Sequence, residues 1–261
     1  MRRGTILWIL ALAVTLTAAA YQRRTGPSYP VRGQVMLGGQ TFQVTLERSW
    51  ADGDQPVQII IADAAVNGRL RWRRYPTDDP WQVQGLERSA DVLQASLPHQ
   101  PPAAKLEYQV QLARNEERVV FPGRPIVTRF KGAVSPAILV PHIFAMFLGM
   151  LFSTRAGLDA IVKGPSRRVL SAIALALLMA GGFVLGPLVQ KAAFGAYWTG
   201  VPWGYDLTDN KTLIVIAAWL LAAWNVHRRP TARWTVLVAA AATLVVFAIP
   251  HSVWGSEMRW K

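Results

Sequence analysis

The 261-residue chain contains no cysteine. It therefore forms no disulfide bond, cannot attach haem through a Cys-x-x-Cys-His motif and has no thiol chemistry. Charged residues are also scarce, at 16%, whereas hydrophobic residues make up 52%. The sequence shows no phosphate-binding loop, dinucleotide fingerprint or nucleophile–base set, so a non-catalytic role is favoured over an enzyme. The composition favours a membrane protein over a soluble one.

A formal net charge of +13 is also typical of proteins that bind nucleic acid. Here, however, much of the positive charge lies in short clusters that flank apolar segments. Such clusters are the usual signature of membrane topology, so we expect a lipid bilayer and no nucleic acid among the partners.

Residues 1–22 are predicted to be an N-terminal signal anchor and the first transmembrane helix. A basic start, Met1-Arg2-Arg3, precedes an apolar run of about 17 residues from Thr5 to Tyr21, just long enough to span a bilayer. The stretch Ala18-Ala19-Ala20 leaves open the alternative of a cleaved signal sequence. Either outcome sends the following residues across the membrane.

Residues 30–131 show a strand pattern. Val31–Leu37 and Gln40–Leu46 flank Gly38-Gly39, a pair typical of hairpin turns. Further predicted strands are Val57–Ala62, Arg69–Tyr75, Trp81–Leu86, Asp91–Leu97, Leu106–Leu112, Arg118–Phe121 and Ile126–Phe130. Turn residues recur every 8–12 positions, which predicts a β-sandwich of the immunoglobulin or fibronectin type III kind.

Residues 135–261 are predicted to form a four-helix transmembrane region. The apolar segments are Ser135–Ser153, Val169–Val189, Thr212–Val226 and Trp234–Pro250. The cores of these segments carry no charged residue, which argues against a translocation path for a transported molecule. The predicted fold is thus a bundle of about five transmembrane helices with an inserted β-sandwich domain.

The distribution of basic residues predicts the orientation of this bundle. The short loops Thr154–Arg168 and His227–Arg233 carry four and three Lys or Arg residues, whereas the longer loop Gln190–Lys211 carries two. Because cytoplasmic loops are enriched in Lys and Arg, the N-terminus is expected in the cytoplasm. The β-domain and the C-terminus are then periplasmic, in a bacterial inner (cytoplasmic) membrane.

The periplasmic loop 190–211 is unusually rich in aromatic residues and glycine. Trp198, Trp203 and Tyr205 offer flat apolar faces, and Asp206 supplies oxygen atoms at the mouth of a helix. These residues favour a surface for a flat, hydrophobic ligand.

A simpler interpretation of the same loop is an interfacial aromatic belt followed by the start of a helix. Thr208 or Asp209 would then be the N-cap, because an acidic or hydroxyl side chain accepts hydrogen bonds from the first turn. A Ca²⁺ or Na⁺ site formed by the oxygen-bearing residues from Asp206 to Asn210 is a further alternative.

Two histidines are expected at the same membrane level as this loop. His142 lies near the outer start of the second segment, and His251 lies at the outer end of the fifth. Two imidazoles from different helices beside aromatic residues form the outline of a bis-histidine haem site. Met146, one helical turn from His142, is a second-choice iron ligand. The alternative is a pair of hydrogen-bonded interfacial histidines.

The stretch Tyr197-Trp198, followed by Pro202-Trp203-Gly204-Tyr205-Asp206, resembles the WWD-type loop of the haem-handling membrane proteins of cytochrome c maturation. That loop has the form Trp-Gly-x-x-Trp-x-Trp-Asp, it binds haem, and flanking histidines ligate the iron. The resemblance covers this loop with His142 and His251. The spacing differs, Tyr205 stands in place of a tryptophan, this chain has fewer membrane segments, and the β-domain is not part of the family's core.

The resemblance implies haem handling, or support of membrane electron transfer and cytochrome maturation. His142 and His251 would be the axial ligands, Trp198, Trp203 and Tyr205 would contact the macrocycle, and Asp206 would orient the loop. The competing prediction is a membrane-anchored scaffold subunit whose β-domain docks a periplasmic protein partner. In either case, the spacing of Gly182 and Gly186 predicts close helix packing within the bundle or in a dimer.

Overall fold

A computed structural model describes residues 3–250 and Met258. The described residues divide into two compact units. Residues 3–27 and 134–250 form a helical unit, and residues 28–133 with Met258 form a β unit.

The helical unit contains five helices in the described part of the chain. Their bounds are α1 Arg3–Thr25, α2 Pro136–Ile161, α3 Arg167–Met179 continued by a π-helical segment Ala180–Leu185 and by α4 Gly186–Phe194, α5 Leu207–Arg228 and α6 Trp234–Ala248. The third of them is one continuous helix that consists of α3, the π-helical segment and α4. Ser135 caps α2 through its side chain, which accepts a hydrogen bond from the backbone N–H of Ala137. Gly195 ends α4 in the left-handed conformation that glycine adopts without penalty.

Three of these helices are long and apolar enough to cross a membrane: Arg3–Thr25, Pro136–Ile161 and Arg167–Phe194. Helix α6 is apolar but shorter, with 15 residues. Helix α5 has 22 residues, but its polar first turn, from Thr208 to Lys211, lowers its mean hydropathy. The molecule therefore has the composition of a helical membrane protein.

Small side chains bring the helices of this unit close together. The alanines that are buried between helices include Ala156, Ala174, Ala222 and Ala239, and a Cβ added at Gly157 would lie 2.7 Å from the Cβ of Ala240. Fully buried Trp219 fills the centre, where its Nε1 donates a hydrogen bond to Thr243 Oγ1 at 2.8 Å. Close backbone approach of this kind supplies the van der Waals packing that stabilises helix association in lipid.

The largest shift of a predicted helix boundary is at the end of α2. Helix α2 continues past Ser153 to Ile161 and includes Arg155 and Asp159, whose side chains are only 7% and 3% exposed. Arg155 Nη1 donates to Asp159 Oδ1 at 3.1 Å. Because residues i and i+4 face each other on a helix, the two charges compensate one another and the helix continues through them. The bundle therefore contains a buried ion pair where the sequence pattern predicts a loop.

The β unit contains ten strands within residues 28–133. They are β1 Val31–Leu37, β2 Gln40–Leu46, β3 Ser49–Trp50, β4 Gln55–Ile60, β5 Val66–Tyr75, β6 Gln82–Gly85, β7 Glu87–Ser89, β8 Val92–Leu97, β9 Lys105–Arg114 and β10 Glu117–Phe130. They form a β1–β2 hairpin, a five-stranded sheet in the order β3-β10-β9-β5-β6 and a three-stranded sheet in the order β4-β8-β7. Side chains from all three sheets share one hydrophobic core.

The predicted hairpin is confirmed. Strands β1 and β2 pair antiparallel from Val31 opposite Leu46 to Leu37 opposite Gln40, and Gly38 and Gly39 both have positive φ. The two predicted strands Arg118–Phe121 and Ile126–Phe130 belong instead to the single strand β10, whose register shifts between those stretches. Strands β3 and β7 were not predicted, because two or three residues carry too little alternation to be recognised.

Tyr108 on β9 lies at the centre of the β unit and is fully buried. Its hydroxyl donates a hydrogen bond of 2.6 Å to the carbonyl of Glu47, which satisfies the one polar atom of the side chain. Burial raises the pKa of this hydroxyl above its usual range.

Candidate functional site

The loop between α4 and α5 folds back on the first turn of α5, and Asp209 holds it there. Asp209 Oδ2 accepts hydrogen bonds from the backbone N–H groups of Thr199 at 2.6 Å and Gly200 at 2.9 Å. It also accepts from Thr199 Oγ1 at 3.3 Å and Gln190 Nε2 at 3.1 Å. Asn210 Oδ1 adds a bond of 2.8 Å from the N–H of Val201. Two residues of one helical turn thus determine the shape of the loop.

Asp206, and not Thr208 or Asp209, is the N-cap of α5. Its Oδ1 accepts from the N–H of Thr208 at 2.7 Å and of Asp209 at 3.4 Å. The predicted cap position was wrong by two or three residues, because each oxygen-bearing residue of this turn is a plausible cap by type. The carboxylates of this turn accept backbone N–H groups, an arrangement that explains their spacing without a bound cation.

The three aromatic residues predicted to contact a macrocycle differ in how far they are exposed. Trp198 is half-buried and stacks on Phe183, with ring centroids 5.4 Å apart and planes 14° from parallel. Its Nε1 donates to the carbonyl of Val201 at 3.1 Å. Trp203 and Tyr205 are 80% and 92% exposed. The aromatic residues are therefore divided between the packing of the loop and the outer surface of this unit.

His142 on α2 contacts the π-helical segment. Its Nδ1 lies 3.0 Å from the carbonyl oxygen of Gly181, a residue 39 positions along the chain. The same oxygen accepts the N–H of Gly186, the i to i+5 bond that defines a π turn. Because a carbonyl only accepts, Nδ1 carries the hydrogen, and in the neutral imidazole Nε2 is then an acceptor.

Glycine makes this contact possible. A Cβ added at Gly181 would lie 2.7 Å from Met146 Sδ on α2, and one at Gly182 would lie 2.6 Å from Thr212 Cγ2 on α5. A Cβ added at Gly186 would lie 3.9 Å from the His142 ring. Gly182, one member of the predicted small-residue pair, therefore packs against another helix of the same chain.

His142 lines a cavity of about 410 Å³ within the helical unit. This volume lies within the range of small-molecule sites, roughly 300–1,000 Å³. Its polar lining residues are Gln22, His142, Gln190, Asp206, Thr208, Asp209 and Thr212. Its apolar lining residues are Ala19, Leu139, Ile143, Met146, Phe147, Met150, Gly182, Gly186, Val189, Phe194 and Phe247. Helices α1, α2, α4, α5 and α6 and the π-helical segment all contribute.

Of the six residues predicted for the site, His142 and Asp206 line this cavity. Trp198, Trp203 and Tyr205 are not among its lining residues, and His251 lies outside the described residues, so a pairing of His142 with His251 stays a prediction. Met146 lines the cavity on the same face of α2 as His142.

Gln190 and Asp209 were not predicted as lining residues. An isolated glutamine at the end of an apolar helix is a signal for Gln190, because an uncompensated amide is costly in a bilayer. Among residues 3–250 and Met258, no group of three or more His, Asp or Glu residues is arranged to hold a metal ion.

The other described histidines have partners elsewhere. His227 Nδ1 lies 2.8 Å from Arg168 Nη2, and His99 Nδ1 lies 3.1 Å from the carbonyl of Gly53 in the β unit. His142 is thus distinguished from them by its place in a cavity.

Comparison with known proteins adds no relative. No protein family matches the sequence, and no curated protein is significantly similar to it.

Proposed function

We propose that this chain is a multi-pass protein of a bacterial inner membrane whose helical unit binds a lipophilic small molecule in the cavity beside His142. The observation that carries the proposal is the His142 imidazole. Its Nδ1 is held by the Gly181 carbonyl, and the residue lines a cavity with many apolar lining residues. Sites for small molecules combine apolar walls with a few placed polar groups in this way.

The site can be tested by filling it. A Val189→Trp substitution places a large ring in the cavity, because Val189 is one of its lining residues. Val184→Trp is the matched control, since Val184 lies on the same continuous helix, is 60% exposed and does not line the cavity. Lipophilic molecules extracted from the detergent-purified proteins are then quantified by mass spectrometry.

We expect wild type and the Val184 variant to retain one lipophilic species near equimolar amounts, and the Val189 variant to lose it. Equal retention by all three proteins, or no retained species in any of them, would contradict the proposal. Thermal unfolding of each variant shows whether the fold is kept.

Haem is a second candidate ligand, and the contact between His142 and Gly181 favours it. A ligating histidine commonly donates its other ring N–H to a carbonyl, which orients the ring and fixes the tautomer. In this version the Trp198–Asp206 loop covers the macrocycle and His251 supplies the second axial ligand, as in the WWD-type proteins. An absorption spectrum of the purified chain with added haem tests it: a low-spin spectrum should disappear in His142→Ala and persist in His227→Ala.

The proposed topology has five membrane crossings, the N-terminus in the cytoplasm and the β unit in the periplasm as an immunoglobulin- or fibronectin-like sandwich. Its support is the basic residues that flank the predicted crossings. Reporter fusions at Pro165 and at Lys261 should give opposite sides, cytoplasmic and periplasmic. The same side for both fusions would exclude five crossings.

A further inference from the structure

Three residues that line the cavity carry a hydrogen-bond acceptor with no partner in the described part of the chain. In the tautomer imposed by Gly181, His142 Nε2 is an acceptor. The hydrogen bonds of Asp209 in the described part of the chain all reach Oδ2, and none reaches Oδ1. Gln190 uses its Nε2 for Asp209 and Thr199, which leaves its Oε1 as an acceptor. Three lining residues therefore offer acceptors to whatever occupies the cavity.

The charge of Asp209 is already compensated by the protein. Two backbone N–H groups and two side chains donate to its carboxylate, and it lies in the first turn of α5, at the positive end of the helix dipole. A ligand that brings neutral hydrogen-bond donors fits this arrangement, because a cation is not needed to balance an isolated negative charge.

The apolar walls indicate the shape of the ligand. Phe147, Phe194 and Phe247 supply aromatic faces, and Met146 and Met150 supply thioethers that pack well against rings. Flexible thioethers and aromatic rings together suit a flat aromatic head group.

We propose, on the basis of the ligand-binding function proposed above, that the cavity binds a membrane-soluble aromatic diol, a quinol, in preference to its oxidised quinone. A quinol presents two hydroxyl donors, which match the acceptors at His142 and Asp209. The quinone presents only acceptors, so these protein atoms stay buried and unsatisfied when it binds. A buried polar group without a partner costs more than a hydrogen bond contributes, and this difference gives the selectivity.

Three ligands that differ only in their oxygen chemistry test this inference on the full chain. They are a decyl-substituted benzoquinol, the corresponding benzoquinone and the dimethyl ether of the quinol, each titrated into detergent-solubilised protein by calorimetry. We expect the quinol to bind about 10-fold or more tightly than the other two, because each lacks the donors. Equal affinity for the three ligands would refute the inference.

Variants separate this inference from the function on which it rests. His142→Phe keeps a flat ring and removes the acceptor, so the affinity for the quinol should fall about 10-fold while that for the dimethyl ether changes little. His227→Phe is the matched control and should leave all affinities unchanged. If the quinol, quinone and ether bind equally to wild type and all lose binding in Val189→Trp, the cavity function stands and the donor preference is wrong. If none of the three ligands binds to wild type, the quinol inference is wrong. The proposal that the cavity binds a lipophilic molecule is then still tested separately, by the species retained after extraction.

Discussion

Replacing Asp209 by alanine should release the loop between α4 and α5. The carboxylate is buried and accepts the backbone N–H groups of Thr199 and Gly200, so its removal takes this acceptor away from both donors. The neighbouring acceptor, Asn210 Oδ1, already accepts the N–H of Val201.

The size of the effect follows from the two backbone N–H groups that lose this acceptor. A buried N–H group without an acceptor costs about 1–3 kcal/mol, so two of them should lower the free energy of local opening by about 4 kcal/mol. Since 1.4 kcal/mol is a factor of ten in an equilibrium constant, exchange of these amides with solvent should accelerate by about 1,000-fold. Asn210→Ala is the matched control, because it removes the acceptor of one exposed N–H group and should cost less than about 1 kcal/mol.

Hydrogen exchange followed by mass spectrometry on peptides that cover residues 196–206 measures this directly. The expected order of exchange rates is Asp209→Ala far above Asn210→Ala, with Asn210→Ala near wild type. Wild-type rates at Thr199 and Gly200 in the Asp209 variant would refute the claim that this carboxylate holds the loop.

Three further predictions concern the packing of each unit. Asp159→Asn should destabilise the helical unit by about 3 kcal/mol in mixed-micelle unfolding, because it leaves the buried Arg155 guanidinium without its counterion. A double variant, Arg155→Met with Asp159→Leu, should recover most of that loss, because it removes both charges. Trp219→Phe removes the donor to Thr243 and some buried volume, so a loss of about 1–3 kcal/mol is expected in the same assay, and no loss would contradict the central position of this ring. An excised fragment of residues 30–131 should give a β-type circular dichroism spectrum. It should also lose stability above about pH 10, because tyrosine ionises there in the unfolded chain while the raised pKa of Tyr108 keeps this side chain neutral in the folded form. Tyr108→Phe should remove that part of the pH dependence.

Local patterns were sufficient for most of the elements of this fold. The Gly38-Gly39 pair between two alternating stretches predicts the β1–β2 hairpin, and the structure has that hairpin between the same two stretches. Long apolar runs predict the helices, since their signal extends over many residues. The same reasoning misplaced the end of α2. A charged residue at position 155 interrupts the apolar pattern, and the sequence pattern does not show that Asp159 pairs with it inside the helix.

The candidate site was predicted only in part. Of the residues named from the sequence, His142 and Asp206 line the cavity, and their roles toward a ligand stay predictions. The roles of Gln190 and Asp209 were missed, and Trp203 and Tyr205 lie on the surface of the helical unit instead of the cavity wall. Residue type indicates which side chains are able to bind a flat ligand, but it carries no information on which way an individual loop residue points.

The sequence by itself determined that this chain has apolar helices long enough for a membrane and a separate unit of short strands, because hydrophobic periodicity is a property of neighbouring residues. Only the tertiary structure decided which atoms meet in the cavity. The Gly181 carbonyl that holds His142 is 39 residues away from it, and the π turn that presents this carbonyl depends on glycines facing α2 and α5. Contacts between distant residues depend on how helices pack, and packing depends on the shapes of both surfaces, which no local pattern records.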